Sequence, residues 1–203
     1  MRQIVYLVLA PWARNRPVGY TRGVRYRREH LDLDDEALFA QCDVHCYKSS
    51  GPGGQHRNKV SSAVRVKHRP TGVMAHGDQS RSQHENKALA IRRLRMNLAC
   101  QVRQALGAGP IEIPPTVRQC IFQPRGRGGG VPPRLEVGRR DHRFWLVAAF
   151  LLDVLELAEG RLATAAGHIG ISTGNLNALL KSDRHLLGAA QQTRKRFGRR
   201  PIG

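Results

Sequence analysis

The sequence predicts an α+β fold with two parts: an N-terminal part that combines a small mixed sheet with one long packed helix, and a C-terminal part made only of helices. Three observations carry this prediction. Residues 43–77 show short strand patterns, residues 82–102 repeat apolar side chains at helical spacing, and residues 144–182 form helical patterns rich in apolar residues. A chain of 203 residues can build such cores without disulfide bonds.

The N-terminal part begins with a short helix over Asp34 to Gln41, opened by acidic residues that suit a helix N-terminus. A strand over residues 43–48 follows, and residues 63–68 form a second strand. Pro70-Thr71-Gly72 is typical of a turn, and residues 72–77 are the return strand. The last two strands are therefore predicted to form a hairpin.

Ser82 and Glu85 have the spacing of a capping box, which predicts that the long helix begins at this point. Apolar residues then recur at three-and-four spacing: Ala88, Ile91, Leu94, Leu98 and Val102. Arginines lie off that stripe: Arg92, Arg93, Arg95 and Arg103. We expect this helix to bury its apolar face and to present arginines to a partner.

The chemistry of the chain is concentrated in residues 49–59, Ser-Ser-Gly-Pro-Gly-Gly-Gln-His-Arg-Asn-Lys, which we call the glutamine loop. Gly53 and Gly54 lack a Cβ, so their backbone can enter a narrow cavity. Gln55 has no useful pKa and cannot act as a general base, but its backbone N–H and amide can bind a water or a developing oxyanion. Taken alone, Gly-Gly-Gln is also typical of a flexible turn or of part of a phosphate-binding loop.

A second motif, Ser80-Arg81-Ser82-Gln83-His84-Glu85-Asn86-Lys87, precedes the long helix. Together with the pattern Gly-x-Gly-Gly-Gln-x-x-Asn-Lys, it makes roughly Gln41 to Val102 resemble the catalytic domain of class I peptide chain release factors and of the codon-independent ribosome-rescue hydrolases related to them. The resemblance implies that Gly53, Gly54 and Gln55 are the catalytic residues. It implies a loop that is mobile off the ribosome and enters the peptidyl-transferase centre to promote attack of water on the peptidyl-transfer RNA ester, with ribosomal and transfer RNA supplying the general base.

The charge of the chain agrees with an RNA partner, because 34 Lys and Arg stand against 15 Asp and Glu, a net charge of +19. Charge kept only for solubility usually mixes signs more evenly. Residues 41–122 alone hold 13 basic and 4 acidic side chains. We predict RNA contacts from His56, Arg57, Asn58, Lys59, Arg81, Ser82, Gln83, His84, Asn86, Lys87, Arg92, Arg93, Arg95, Arg194, Lys195, Arg196, Arg199 and Arg200.

The four cysteines, at positions 42, 46, 100 and 120, form no regular framework and suit reduced thiols in a cytoplasmic-type compartment. Cys42, His45 and Cys46 would not share one face of a strand, and no second ligand pair follows at zinc-like spacing. We therefore predict no metal site and no cofactor.

The first 28 residues hold seven arginines, and no acidic residue precedes Glu29. Three interpretations stay open: an organelle transit peptide, a disordered basic arm, or an extension from a misplaced start codon. We leave residues 1–30 out of the fold. No stretch approaches the ~20 apolar residues that a membrane span requires. We expect a bacterial-type cytoplasmic protein rather than an organelle protein, and we expect a monomer.

The segment 123–141 contains Arg-Gly-Arg-Gly-Gly-Gly and Pro-Pro, which predicts a basic linker rather than a packed element. A helix over residues 144–157 follows. Residues 162–182 resemble bacterial helix-turn-helix units, with Ser172 as the cap of the second helix. Small, turn and core positions of that pattern are filled by Ala166, Gly170, Ile171, Leu176 and Leu179.

The helix-turn-helix pattern raises a competing hypothesis, a DNA-binding regulator without catalytic activity. Its second helix suits DNA poorly, because its only basic residue is Lys181 and Gly174 weakens it. The remaining polar positions are Thr173, Asn175 and Asn177. A hairpin that only packs and presents the segment that follows stays open as well.

The predicted organisation has five parts: a basic arm (1–30), a release-factor-like domain (31–122), a basic linker (123–141), a helical unit (142–193) and a basic tail (194–203). In the codon-independent hydrolases, a comparable tail occupies the empty messenger-RNA channel of the small subunit. The resemblance therefore implies two ribosomal contacts, large-subunit RNA at the peptidyl-transferase centre and that channel, with peptidyl-transfer RNA as substrate. Because the sequence shows no segment for reading a stop codon, we expect codon-independent release on stalled ribosomes. The folded helical unit before the tail departs from the family pattern.

Overall fold

The structure, a computed structural model, describes residues 27–48, 61–106, 111–124 and 131–203. The predicted α+β fold is confirmed: a sheet and a long helix form the N-terminal part, and helices dominate the rest. The glutamine loop and residues 1–26 lie outside the described residues.

The N-terminal part contains three helices and three strands in the order α1, α2, β1, β2, β3, α3. Their bounds are Arg27–Asp32, Asp35–Ala40, Cys42–Tyr47, Ala63–His68, Met74–Gly77 and Gln83–Gln101. Helix α2 lies where a short helix was predicted, and Asp34 is its cap, since the Asp34 carboxylate accepts from the Ala37 N–H at 2.7 Å. Helix α1 begins inside the segment that we left out of the fold, and Leu31 is buried in the core.

The three strands form one sheet in the order β1-β2-β3, and both pairings are antiparallel. The prediction of a mixed sheet is therefore wrong. Each strand pairs with the next strand in the chain, and a reversal between consecutive strands gives antiparallel pairing without a crossover. The predicted hairpin is confirmed: Gly72 lies in its turn with φ of +71°, and its N–H donates to the His68 carbonyl at 2.7 Å.

Helix α3 covers one face of the sheet. The Ser82 side chain caps it by accepting from the Glu85 N–H, as the capping box predicted. Its buried residues Ile91, Leu94 and Leu98 share a core with the strands. The strand residues in that core are Val64, Val66 and Ala75.

The contact between β3 and α3 is made by backbone. A Cβ built on Gly77 would lie 1.9 Å from the Asn86 carbonyl oxygen and 2.7 Å from its carbon. Only glycine allows the strand to approach the helix this closely.

The C-terminal part contains five helices and a two-stranded ribbon among the described residues. The helices α4 to α8 are Pro115–Arg118, Phe144–Leu157, Leu162–Ile169, Thr173–Lys181 and Arg184–Arg196, and strands β4 and β5 are Ile121–Phe122 and Arg134–Leu135. Helix α5 spans the predicted residues and is buried along most of its length. The predicted helix-turn-helix geometry is present in α6 and α7, with Gly170 at φ +79° and Ser172 capping α7.

The segment predicted as a linker is packed around strand β5, although most of its other described residues are exposed. Leu135 is fully buried, and β5 pairs with β4. The Asn175 amide of α7 accepts from the Leu135 N–H at 2.8 Å and donates to the Leu135 carbonyl at 3.1 Å. The Gly and Pro content of the segment predicted no packing. Burial of the Leu135 side chain and its hydrogen bonds with Asn175, 40 residues away, order this part of it.

Helix α5 joins the two parts of the molecule. Ala149 is fully buried in the core of the N-terminal part, and Trp145 packs against both cores. The buried Asp153 carboxylate accepts from the Gln104 N–H at 3.0 Å, just beyond the end of α3. In the described part of the chain, no helix is both long and apolar enough to cross a membrane.

Candidate functional site

Two paired strands hold the ends of the segment that carries the glutamine loop. Tyr47, the last residue of β1, pairs with Ala63, the first residue of β2. The predicted catalytic residues Gly53, Gly54 and Gln55 lie outside the described residues, as do His56, Arg57, Asn58 and Lys59. The structure therefore fixes where the segment leaves and rejoins the sheet.

Asn86 fastens the returning end of that segment to α3. Its side chain is 1% exposed and donates to the carbonyls of Ser62 and Ser80, both at 2.8 Å. Its amide oxygen accepts from the Ser80 N–H at 2.9 Å. This burial corrects our prediction that Asn86 contacts RNA, because three hydrogen bonds inside the protein occupy the side chain.

The other residues of the second motif lie around the N-terminus of α3. Arg81 and His84 are exposed, and Ser82 is the helix cap. The Gln83 amide donates to the Cys46 sulfur at 2.8 Å, which ties the helix start to the end of β1. The Lys87 ammonium lies 3.8 Å from the centroid of the Phe39 ring, in cation–π contact, although the lysine is exposed. Arg81 and His84 are thus the motif residues most available to a ligand.

The arginines of α3 differ in what they contact. Arg95 donates to the carbonyls of Leu31 and Leu33 and pairs with Asp35 at 2.8 Å, so it holds α1 and α2. Arg93 donates to the His76 carbonyl at 2.6 Å.

Arg93 also pairs with Asp78 at 3.4 Å. Both Arg93 and Arg95 therefore bind other parts of the protein, whereas we had predicted that their charges would be free to contact RNA. Arg92 is exposed and makes no ion pair within the described part of the chain. It lines a cleft of about 630 Å³ between the two parts of the molecule.

The C-terminal basic run is folded, which corrects the prediction of a tail. Arg194, Lys195 and Arg196 form the last turn of α8, and Ile202 is buried. Arg194 donates to the carbonyls of Gly160 and Arg200, and Arg196 pairs with Glu156.

Arg199 also contacts the protein, donating to the Glu159 carbonyl at 3.3 Å. Lys195 and Arg200 are exposed. Most of these partners lie at the end of α5 and in the turn that follows it, and their contacts with the arginines hold the run against the helical unit.

The second helix of the helix-turn-helix unit is partly occupied by the protein itself. DNA-reading helices of this kind contact bases with residues at their N-terminal end. The side-chain amide of Asn175, the third residue of α7, is hydrogen-bonded to the backbone N–H and carbonyl of Leu135. Both residues line a cavity of about 420 Å³ between β5 and α7. This geometry disfavours reading of DNA by α7.

The titratable groups with altered pKa values belong to the fold. Burial raises the pKa of the Cys42 thiol to about 11. Burial, followed by the charges of His30 and Arg69, lowers the pKa of His68 to about 4. Both ring nitrogens of His68 are hydrogen-bonded, Nδ1 with the Thr71 hydroxyl at 2.8 Å and Nε2 with the Gln41 amide oxygen at 3.0 Å. A third shifted group is Asp141, whose pKa falls to about 2 because Arg143 hydrogen-bonds it.

The sheet face opposite α3 holds basic residues that our sequence reasoning missed. Arg65 and Lys67 of β2 are exposed there, together with His45 of β1 and His76 of β3. The signal was present in the alternation of β2, where Val64 and Val66 point to the core and the alternate residues Arg65 and Lys67 are cationic. Among the described residues, no group of three or more His, Cys, Asp or Glu side chains is arranged to hold a metal ion.

Comparison with known proteins identifies relatives for the N-terminal part. Residues 35–108 match the family model described as the RF-1 domain. Peptide chain release factor 1 of Acidiphilium cryptum (strain JF-5) is 45% identical over 81 residues, which cover 40% of this chain and 23% of that protein.

Two further relatives agree. Peptide chain release factor 1 of Leptothrix cholodnii is 49% identical over 69 residues, covering 34% of this chain and 19% of that protein. Peptide chain release factor 2 of Sulfurovum sp. is 42% identical over 67 residues, covering 33% and 18%. The chain thus spans about a fifth of the length of these relatives. The resemblance that we inferred from the two motifs is confirmed for residues 35–108.

Proposed function

We propose that this protein promotes ribosome-dependent hydrolysis of the peptidyl-transfer RNA ester, and so releases nascent peptides from stalled ribosomes without reading a stop codon. The observation that carries the proposal is the position of Gly53-Gly54-Gln55. The motif lies inside the RF-1 domain match and between the paired ends of β1 and β2.

The proposed chemistry is stabilisation of the transition state by neutral groups. Gly53 and Gly54 allow close approach of backbone to the ester, and Gln55 offers its N–H and amide to the attacking water or the oxyanion. Two side chains of the neighbouring sheet, Cys42 and His68, are poorly suited to act as nucleophile or general base. The Cys42 thiol, with its pKa near 11, stays protonated at neutral pH, and His68 is buried with both nitrogens engaged. The general base would therefore come from the RNA.

Several features support the ribosome as partner. Arg81 and His84 are exposed at the start of α3, the helix that also binds Ser62 at the returning end of the motif segment. The net charge of +19 favours a polyanionic partner. We propose a cytoplasmic monomer that contacts large-subunit RNA at the peptidyl-transferase centre.

Codon independence is the finer part of the proposal. It rests on the order of parts in the sequence, a release-factor-like domain followed by a basic linker, a helical unit and a basic C-terminal run. Because Arg194, Arg196 and Arg199 are held by the protein, entry of the last ten residues into the messenger-RNA channel would require them to detach from α8 and its neighbours. Lys195 and Arg200 remain available for contact with RNA from the folded unit.

The test is peptide release from 70S ribosomes that carry labelled peptidyl-transfer RNA on truncated messages, or on messages with a sense or a stop codon in the decoding site. We expect release on truncated messages without a stop-codon requirement. Gln55→Ala should lower the single-turnover release rate by about 100-fold or more, as loss of one oxyanion donor does in other enzymes. Gln192→Ala, a change of the same type at an exposed position of α8, is the matched control and should leave the rate unchanged.

The outcomes separate the alternatives. Release only at stop codons would reject codon independence and keep the hydrolysis. Full release by Gln55→Ala would reject the catalytic assignment. Absence of release under every condition would favour a nucleic-acid-binding protein without catalytic activity.

A further inference from the structure

The two faces of the three-stranded sheet have different environments. One face packs on α3 through buried residues such as Val64, Val66 and Ala75. No element of the described chain covers the other, which we call the open sheet face. Its side chains are His45, Tyr47, Arg65, Lys67, Met74 and His76, with Asp43 at its edge and the buried Ala63 at the end nearest the glutamine loop.

The strand register places the basic side chains of this face in neighbouring rows. His45, Arg65 and His76 are opposite one another across β1, β2 and β3. Lys67 lies in the next row, between Asp43 of β1 and Met74 of β3. Neighbours within a row have Cβ atoms ~5 Å apart, and the two rows are ~7 Å apart along the strands. The basic groups therefore form one compact patch.

The patch carries positive charge that the protein does not neutralise. Within the described part of the chain, Arg65 and Lys67 make no ion pair, and both are exposed. Asp43, the acidic residue of this face, is paired with Arg69 at 3.5 Å. Two exposed cations without an ion pair give this face a surplus of positive charge, which a polyanionic ligand would compensate.

The patch is adjacent to the attachment point of the glutamine loop. The Tyr47 hydroxyl lies 3.3 Å from His76 Nδ1, and the two rings are in edge contact with centroids 6.1 Å apart. Tyr47 is also the residue of β1 that pairs with Ala63 at the point where the loop segment begins and ends. A ligand bound across the open sheet face would thus fix the orientation of these strand ends.

We propose that the open sheet face docks on the phosphate backbone of ribosomal RNA and thereby positions the glutamine loop for reaction. This inference rests on the proposed function and names its docking surface. Arg65 and Lys67 bind phosphates, and the Tyr47–His76 pair borders the contact at the loop end. The contacts are to the backbone, so they position the domain and do not read sequence.

The test compares charge changes on the open face with equal changes elsewhere. In the variant Arg65→Glu/Lys67→Glu, affinity for 50S subunits at about 100 mM salt should fall at least about tenfold. The slope of log affinity against log salt should become shallower by about two, because each lost phosphate contact contributes roughly 0.9. The swap Arg65→Lys/Lys67→Arg keeps both charges and should restore binding to within a few-fold of the parent.

The matched control is Arg118→Glu/Arg140→Glu, which changes net charge by the same amount at exposed positions on α4 and just before α5, neither in an ion pair within the described residues. It should leave the salt slope unchanged. An equal loss in the control would show that only net charge matters and would overturn the proposal. Unchanged binding by the open-face variant would overturn it too, as would preferential binding of an acidic protein over 50S subunits. Thermal unfolding of each variant verifies that the fold is intact.

Failure of this proposal is distinguishable from failure of the proposed function. If the parent releases peptide, Gln55→Ala does not, and the open-face variant binds and releases like the parent, only the docking surface is wrong. If the parent releases no peptide, binding to 50S subunits still tests the docking surface by itself.

Discussion

The two faces of the sheet are built from the same three strands, yet they differ in how their polar groups are satisfied. On the covered face, His68 and Asn86 are buried and hydrogen-bonded by Gln41, Thr71, Ser62 and Ser80. On the open face, Arg65 and Lys67 are exposed and make no ion pair in the described part of the chain. Along β2, buried side chains that stabilise the fold therefore alternate with exposed side chains that can bind a ligand.

The comparison shows that a count of basic residues overstates the charge available for binding. Four guanidinium groups are bound by carbonyls or carboxylates of the protein itself: those of Arg93, Arg95, Arg194 and Arg196. We expect changes on the covered side to reduce stability and changes on the open side to reduce binding. The following variants test that division from the largest expected loss of stability to the smallest.

Gly77→Ala should cause the largest loss, about 3 kcal/mol or more, because its Cβ would overlap the Asn86 carbonyl at 1.9 Å. Urea unfolding measures this loss. Gly188→Ala is the control: it lies inside α8 with no atom within 4 Å of the added Cβ, so it should gain about 0.5 to 1 kcal/mol. Equal stability of the two variants would mean that the strand does not contact the helix as described.

Asn86→Ala should cost about 2 to 3 kcal/mol, since it leaves the Ser62 and Ser80 carbonyls and the Ser80 N–H without their partner. The exposed His84→Ala, two residues earlier, should leave the free energy of unfolding unchanged. If Asn86→Ala weakened ribosome binding and left stability intact, Asn86 would be an RNA contact after all.

His68 should make the covered face sensitive to acid. Its pKa is lowered from 6.5 to about 4 by burial and by the charges of His30 and Arg69, so the unfolded chain takes up a proton before the folded one does. Stability is therefore complete above pH 6.5 and falls by about 2 to 3 kcal/mol as the pH drops towards 4. Unfolding curves between pH 7 and pH 4 should show this fall in the parent and in the control His168→Gln, whose imidazole is exposed. A flat profile in that range would contradict the assignment.

Arg95→Ala should cost about 1.5 to 2 kcal/mol, because the guanidinium holds two carbonyls and Asp35 at the entry to α2. Arg92→Ala, on the same helix and without an ion pair in the described residues, should change stability by at most about 0.5 kcal/mol. Denaturant midpoints measured side by side distinguish the two arginines. Similar losses in both variants would remove the division between engaged and free cations on α3.

Arg65→Ala/Lys67→Ala should have the smallest effect on stability, at most about 0.5 kcal/mol, because both side chains are exposed and unpaired. The same variant should bind 50S subunits more weakly than the parent. A large loss of stability would show that Arg65 and Lys67 stabilise the fold. The open face would then resemble the covered face in having polar side chains that the fold depends on.

The sequence by itself determined the elements whose signals are local. The bounds of β2 and α5 follow from local residue types, since β2 alternates apolar with cationic side chains and α5 is rich in apolar residues along its length. The predicted caps Ser82 and Ser172 act on N–H groups within three residues. Residues 49–59 and 80–87 were sufficient to indicate the release-factor domain that the family match confirms for residues 35–108. These features depend on neighbours in the chain, which a sequence displays directly.

Only the tertiary structure decided which polar groups are free. Arg95 meets Asp35 from 60 residues away, Asn175 meets Leu135 from 40 residues away, and Arg196 meets Glu156 across the same separation. Such contacts pack parts of the predicted linker and of the predicted tail against the protein, and they engage several arginines that we had expected to bind RNA. A hydrogen bond between distant residues depends on how the intervening elements pack. The cations of the open face therefore became recognisable only once α3 was seen to cover the opposite side.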